Sequence, residues 1–147
     1  MNLKQGVYEK YIKRPQDFLC ALLAVIVLSP VLLVTAILIR IKLGSPILFI
    51  QERPGRNGKI FKLYKFRTML LPQEGKAEPK YDAERLTPFG KYLRRTSIDE
   101  LPELFNILKG DMAVVGPRPL LKQYLTRYNE CQARRHEVRP GFTGLAQ

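Results

Sequence analysis

The sequence predicts an α+β protein, mostly helical with a small β-hairpin or sheet, behind an apolar N-terminal segment that associates with a membrane. Three observations lead there. Phe18 to Ile39 carries no charge between Asp17 and Arg40. Two β-rich stretches flank the turn-forming "ERPGRNGK". Beyond residue 80, apolar residues recur at helical spacing. With 147 residues, 46% of them hydrophobic, the chain has enough apolar surface for one packed domain, which excludes intrinsic disorder. The boundary falls after the apolar run, giving a membrane-association region at 1–43 and a domain at the cytoplasmic face at 44–147. Lys plus Arg number 25 against 13 Asp plus Glu, and the formal charge of +12 points to a polyanionic partner: nucleic acid, anionic membrane lipid or a phosphorylated substrate.

The run Phe18–Ile39 would extend about 33 Å as one straight helix, against a hydrocarbon core of about 30 Å. Arg40 and Lys42 follow at once, where a cleaved signal peptide would carry small residues. Ser29-Pro30 sits near the centre of the run. Pro30 removes a backbone donor, and either a kinked spanning helix or a re-entrant hairpin with legs of about 16 Å accommodates that. Lys4, Lys10, Lys13 and Arg14 precede the run and Arg40, Lys42, Arg53 and Arg56 follow it. This balance gives no drive to place the ends on opposite sides, and favours the hairpin with both ends cytoplasmic.

"SPILFIQ" and "IFKLYKFRTM" read as two strands about the turn. Lys62, Lys65 and Arg67 make the second strand either a solvated edge or a basic row facing headgroups or a diphosphate. "LLPQEGKAEPK" reads as a surface loop. Thr87-Pro88 opens an amphipathic helix with Phe89, Tyr92 and Leu93 on one side and Lys91, Arg94 and Arg95 on the other, suited to a membrane surface or to a core. "SIDELPELFNILKGDM" predicts the next helix, with Ile98, Leu101, Leu104, Phe105 and Leu108 on its apolar face and Gly110 as its stop. "MAVV" is a short strand, Pro119 opens another helix through Tyr128, and "RPGFTGLAQ" is a loop. Cys20 and Cys131 give no disulfide framework. His136 has no companion at metal-ligand spacing and reads as solvated.

Candidate chemistry centres on Asp99 and Glu100. Ser97-x-x-Glu100 has capping-box spacing, which by itself explains two acidic residues at a helix start. A helix N-terminus also attracts phosphate, and a carboxylate beside phosphate calls for a divalent cation, most simply Mg²⁺. Neighbouring carboxylates point about 100° apart on a helix, so one could attack or hold metal while the other accepts a proton. Arg118, fixed between Pro117 and Pro119, offers a guanidinium suited to bidentate phosphate binding, or simply occupies a strand-to-helix connection.

"RTSIDELPELFNILKGDMAVVGPRPLL", "RPGRNGKIFKLYKFRTM" and "RPGFTGLAQ" together resemble the bacterial sugar transferase family, specifically the monotopic polyprenyl-phosphate phosphoglycosyl transferases, and the likeness runs from the Ser-Pro break to Gln147. The resemblance implies transfer of a phosphosugar from a UDP-sugar to undecaprenyl phosphate, with release of UMP, at the cytoplasmic face of the bacterial inner membrane. It implies Asp99 as nucleophile in a covalent phosphosugar intermediate and as Mg²⁺ ligand, and Glu100 as the second member of the dyad, assisting acceptor or metal. Arg118 corresponds to the Pro-Arg-Pro element near the phosphate, Lys62, Lys65 and Arg67 to a basic strand, and Ser29-Pro30 to the break of a re-entrant helix. Ala113 departs from the serine common after "GDM". Family members usually continue past "GLAQ" to close part of the active site; the ending at Gln147 leaves open a fragment, a trimmed form or a reduced natural form, and donor choice and oligomeric state are left open with it.

The competing reading is a non-catalytic membrane-tethered binding or scaffold protein for anionic lipid or nucleic acid. The charge fits it, while a recognisable nucleic-acid fold and stacking motifs are absent, which argues against nucleic acid.

Overall fold

A computed structural model describes residues 8–72 and 82–144. Lys4, most of the predicted 70–80 loop and the end of "GLAQ" lie outside them. A π-helical turn Tyr8–Ile12 leads into α1 (Lys13–Lys42), followed by β1 (Leu48–Pro54), β2 (Ile60–Phe66), α2 (Asp82–Arg85), α3 (Pro88–Arg95), α4 (Glu103–Lys109), β3 (Ala113–Val115), α5 (Glu130–Ala133) and β4 (Gly141–Thr143). The protein is thus mostly helical with small sheets, and α1 is long and apolar enough to cross a membrane.

The helix α1 runs unbroken through Pro30. Ile26, whose carbonyl loses the Pro30 donor, and Ser29 both retain interactions of their own. Most of α1 is bare: Leu19, Leu23, Ile26, Val27, Leu33 and Ile41 are all exposed apolar side chains.

The described residues divide into two compact units, one drawn from residues 1–28, 50–63 and 103–147, the other from residues 29–49 and 64–102. In the first, Ala21, Leu63, Leu104, Ile107 and Met112 form the core. Buried and part-buried polar groups fasten its elements. Arg14 donates to the carbonyls of Ile107 and Leu108, capping the C-terminus of α4. Asn106 Nδ2 donates to the Lys62 carbonyl at 2.7 Å, and the Val114 amide donates to Asp17 at 3.1 Å. In the second unit, Ile39, Leu43, Phe66 and Leu93 are buried, with Phe89 and Ile98 packed against them.

The hairpin forms as the turn signals predict, β1 pairing with β2. Asn57 takes the left-handed conformation at φ 56° inside the turn. Thr87 caps α3, accepting the Gly90 amide at 3.0 Å, with Pro88 at the first helical position. A Cβ on Gly90 would meet the Thr68 carbonyl oxygen at 1.8 Å, so only glycine admits that approach. Tyr92 turns outward, 51% exposed, leaving Leu93 as the buried large side chain of α3.

Three sequence expectations are corrected. The helix predicted from Ser97 to Gly110 is two pieces, a 3-10 turn Ile98–Glu100 and α4 from Glu103. Pro102 has no amide to donate, so the helix restarts after it in a new register. Ile107 becomes fully buried in consequence and Phe105 faces outward. The helix predicted from Pro119 is instead a 3-10 segment Lys122–Arg127 followed by α5, whose capping box joins Asn129 to Gln132. The predicted terminal loop contains β4, which pairs in parallel with β3 through Ala113↔Gly141 and Val115↔Thr143.

His136 is also not simply solvated. Its Nδ1 faces the Gly55 carbonyl at 3.2 Å, its ring packs on Tyr128, and its Nε2 is buried without a partner.

Candidate active site

Asp99 and Glu100 occupy the 3-10 turn that follows α3. Thr96 closes α3, its hydroxyl donating to the carbonyls of Tyr92 and Leu93. Ser97 then takes φ 55°, ψ 17°, the left-handed region, and makes no side-chain cap, so the capping box read from the sequence does not form. The Glu100 amide donates to the Ser97 carbonyl at 3.2 Å, Ile98 packs into the core, and Pro102 is fully buried. A left-handed non-glycine residue, an apolar anchor and a proline therefore hold two carboxylates on a short turn whose direction the preceding helix sets.

Their surroundings differ. Glu100 accepts Lys65 Nζ at 2.7 Å, an ion pair about one-fifth exposed on each side. Asp99 is half-buried, and burial, then the neighbouring Glu100 charge, pushes its carboxyl above the ordinary aspartate range. Lys65, the Asp99 backbone amide and Arg94 pull the other way. One carboxylate is thus fixed by a cation, while the other is costly to ionise and basic when ionised.

Arg67 lies elsewhere in the same unit. It is buried, and its guanidinium donates to the carbonyls of Ser45, at 3.1 Å, and Leu43, tying down the connection from α1 to β1. Burial holds it below the usual arginine range. Lys62 is exposed on β2 of the other unit, and Arg118 is exposed in the loop after β3.

Arg118 has a neighbour that its spacing in the sequence does not reveal. Arg53 on β1 donates through Nη1 to the Pro119 carbonyl at 3.1 Å, and through Nε and Nη2 to Gln51 Oε1 at 3.1 and 2.6 Å. Burial first, then the Arg118 charge, lowers the Arg53 pKa, and Glu103 opposes the shift. Glu103 is itself buried. The sequence placed Arg53 among the charges flanking the membrane segment; alternation along β1 was the available signal that it points the same way as Gln51.

Among the described residues, no group of three or more His, Cys, Asp or Glu side chains gathers as a metal cage. Mg²⁺ requires none, since one or two carboxylates, substrate phosphate oxygens and water complete its shell. Asp99, half-buried and not matched one-to-one with a cation as Glu100 is, has the donor chemistry for that role.

The bacterial sugar transferase profile matches residues 8–147. The chain belongs to the bacterial sugar transferase family. Among its relatives, the uncharacterized sugar transferase EpsL of Bacillus subtilis is 52% identical over 136 residues, covering 92% of this chain and 67% of the relative. The UDP-N-acetylgalactosamine-undecaprenyl-phosphate N-acetylgalactosaminephosphotransferase of Aeromonas hydrophila is 41% identical over 142 residues, 93% of this chain and 34% of that protein. The UDP-glucose:undecaprenyl-phosphate glucose-1-phosphate transferase of Escherichia coli is 38% identical over 143 residues, 94% of this chain and 31% of that protein. This bacterial sugar transferase chain therefore spans about two-thirds of one of these relatives and about a third of the other two.

Proposed function

We propose that the protein is a phosphoglycosyl transferase that moves a phosphosugar from a UDP-sugar to undecaprenyl phosphate at the cytoplasmic face of the inner membrane, releasing UMP. The observation that carries this reading is the unequal dyad: Asp99 half-buried with a raised pKa, beside Glu100 fixed by Lys65. Membership of the family and the activities named for its relatives supply the substrates.

In this reading the ionised Asp99 oxygen attacks the phosphorus attached to the sugar. The phosphoanhydride bond breaks, and UMP departs with the electron pair. An oxygen of the lipid phosphate then attacks the same phosphorus and displaces Asp99, leaving the sugar joined to the lipid through a diphosphate. Partial burial raises the basicity of Asp99, and the Lys65–Glu100 pair keeps a second carboxylate oriented toward the acceptor. Arg118 holds donor phosphate. The contacts of Arg67 suit a structural role better than phosphate binding. Mg²⁺, held by Asp99, would offset negative charge on the donor phosphates.

The apolar run of α1 lies in the bilayer as a re-entrant helix bent at Ser29-Pro30, keeping the dyad on the side where nucleotide sugars are made. The lipid acceptor cannot leave the membrane, which is the physical reason for tethering the enzyme there. Homo-oligomerisation forms no part of this reading.

The test is incubation with undecaprenyl phosphate, Mg²⁺ and a panel of UDP-sugars, following UMP release and the intact mass of the protein. Transfer and a sugar-phosphate adduct are expected for the native protein, and both are expected to vanish in Asp99→Asn. Unchanged turnover in that variant removes Asp99 as nucleophile.

A further inference from the structure

The Arg53 guanidinium is held on both sides, by the Gln51 side-chain oxygen on its own strand and by the Pro119 carbonyl of the Pro-Arg-Pro loop. Pro119 is buried and directly follows Arg118, so the bond fixes the backbone that presents the second guanidinium. Pro117 and Pro119 each lock φ near −65°, and the loop has little freedom to carry Arg118 away. Two cations are therefore held in proximity by covalent geometry and a hydrogen bond. The nearby carboxylate Glu52 accepts Lys122 at 2.8 Å, and Lys62 adds a further exposed cation on β2. Glu103, buried beside Arg53, offsets part of the charge. Two guanidinium groups set on one strand and the loop tied to it match two linked phosphates better than a single phosphate ester, each planar fork taking one phosphate.

We propose that Arg53 is the positioning residue of this anion site, holding Arg118 through the Pro119 carbonyl and adding a second positive charge toward the diphosphate of the nucleotide-sugar donor. The inference rests on the transferase reading for the identity of the anion, and on the Gln51–Arg53–Pro119 contacts for the geometry. Arg53 serves donor binding, while the Asp99–Glu100 turn serves bond making.

The experiment titrates the full chain in detergent or nanodiscs with UDP by calorimetry at several salt concentrations. It compares the native protein with Arg53→Lys, Arg53→Met and Gln51→Leu, and measures KM and kcat for the donor in parallel. Arg53→Met is expected to weaken UDP binding about 10- to 100-fold, the range for loss of one charge-assisted hydrogen bond. Its salt dependence should flatten, and KM should rise by more than kcat falls. Arg53→Lys, which keeps the charge and loses the fork, should fall between Arg53→Met and the native protein.

If Arg53→Met does not fold, Arg53→Lys and Gln51→Leu decide: native UDP affinity in both overturns the proposal. Native affinity and salt dependence in a folded Arg53→Met also overturn it. So does a loss confined to a short-chain polyprenyl phosphate added in place of UDP. A native protein that binds UDP through Arg53 yet releases UMP from no UDP-sugar overturns the transfer reading and leaves the role of Arg53 standing.

Discussion

Asp99 is subject to opposing demands. Burial and the adjacent Glu100 charge raise its pKa, so the folded protein retains a proton through a pH window in which an unfolded chain has released it. Within that window stability falls as pH rises, because the unfolded state is the one that gains by ionising. In the proposed mechanism activity runs the other way, since Asp99 must be ionised to attack. The acid limb of kcat/KM is therefore expected above the ordinary aspartate range, and Asp99→Asn is expected to lose transfer yet to melt at a higher temperature than the native protein at neutral pH. Thermal scans from acid to neutral pH check this: the difference should shrink toward acid, where native Asp99 is protonated and resembles the amide. The chemical identity of the dyad was legible in "SIDE". Its inequality was not, because the pairing of Lys65 with Glu100 joins residues far apart in the chain.

At the scale of elements, the turn carrying the dyad depends on Ser97 in the left-handed region. Strain of that kind costs roughly 1–3 kcal/mol, and a β-branched residue tolerates it least. Ser97→Val is expected to lower stability by about 1–3 kcal/mol and to reduce transfer by displacing Asp99. Ser97→Gly, at home in that conformation, should preserve both. Denaturant melts together with UMP release separate the two, and equal behaviour of the variants would show that the turn does not rely on this backbone. Sequence spacing suggested a capping box here because Ser and Glu stand at the right interval. Pro102 overrides it by making the chain restart its helix at Glu103. In the segment after Arg118, helical apolar spacing from Leu120 to Tyr128 gives only 3-10 turns. The parallel pairing of β3 with β4 escaped detection because three-residue strands carry too little periodicity to register.

For the whole molecule, the decisive quantity is the disposition of α1. Its apolar side chains are bare along most of its length, and its flanking cations are balanced. A re-entrant helix places residues before and after it on one side of the membrane. In a background lacking Cys20 and Cys131, single cysteines introduced as Asn2→Cys and Lys59→Cys are expected to react with a membrane-impermeant maleimide only after the inner membrane is opened. Labelling of Asn2→Cys alone in sealed cells would mean that α1 spans the bilayer. Replacing Pro30 by leucine is expected to favour the spanning form, visible as the same change in labelling, because the straightened run matches the hydrocarbon thickness of about 30 Å.

The sequence by itself determined the composition of the apolar segment, the hairpin with its glycine- and asparagine-rich turn, the Thr87 cap and the residues that place this chain among the bacterial sugar transferases. These are properties of local chemistry and spacing, which short-range physics reads directly. Only the tertiary structure decided which charges meet: Lys65 with Glu100, Arg53 with the loop of Arg118, and Arg67 with backbone carbonyls instead of solvent. Each of these depends on burial and on contacts between residues well separated in sequence, and a charge written in a sequence has no partner until the fold gives it one.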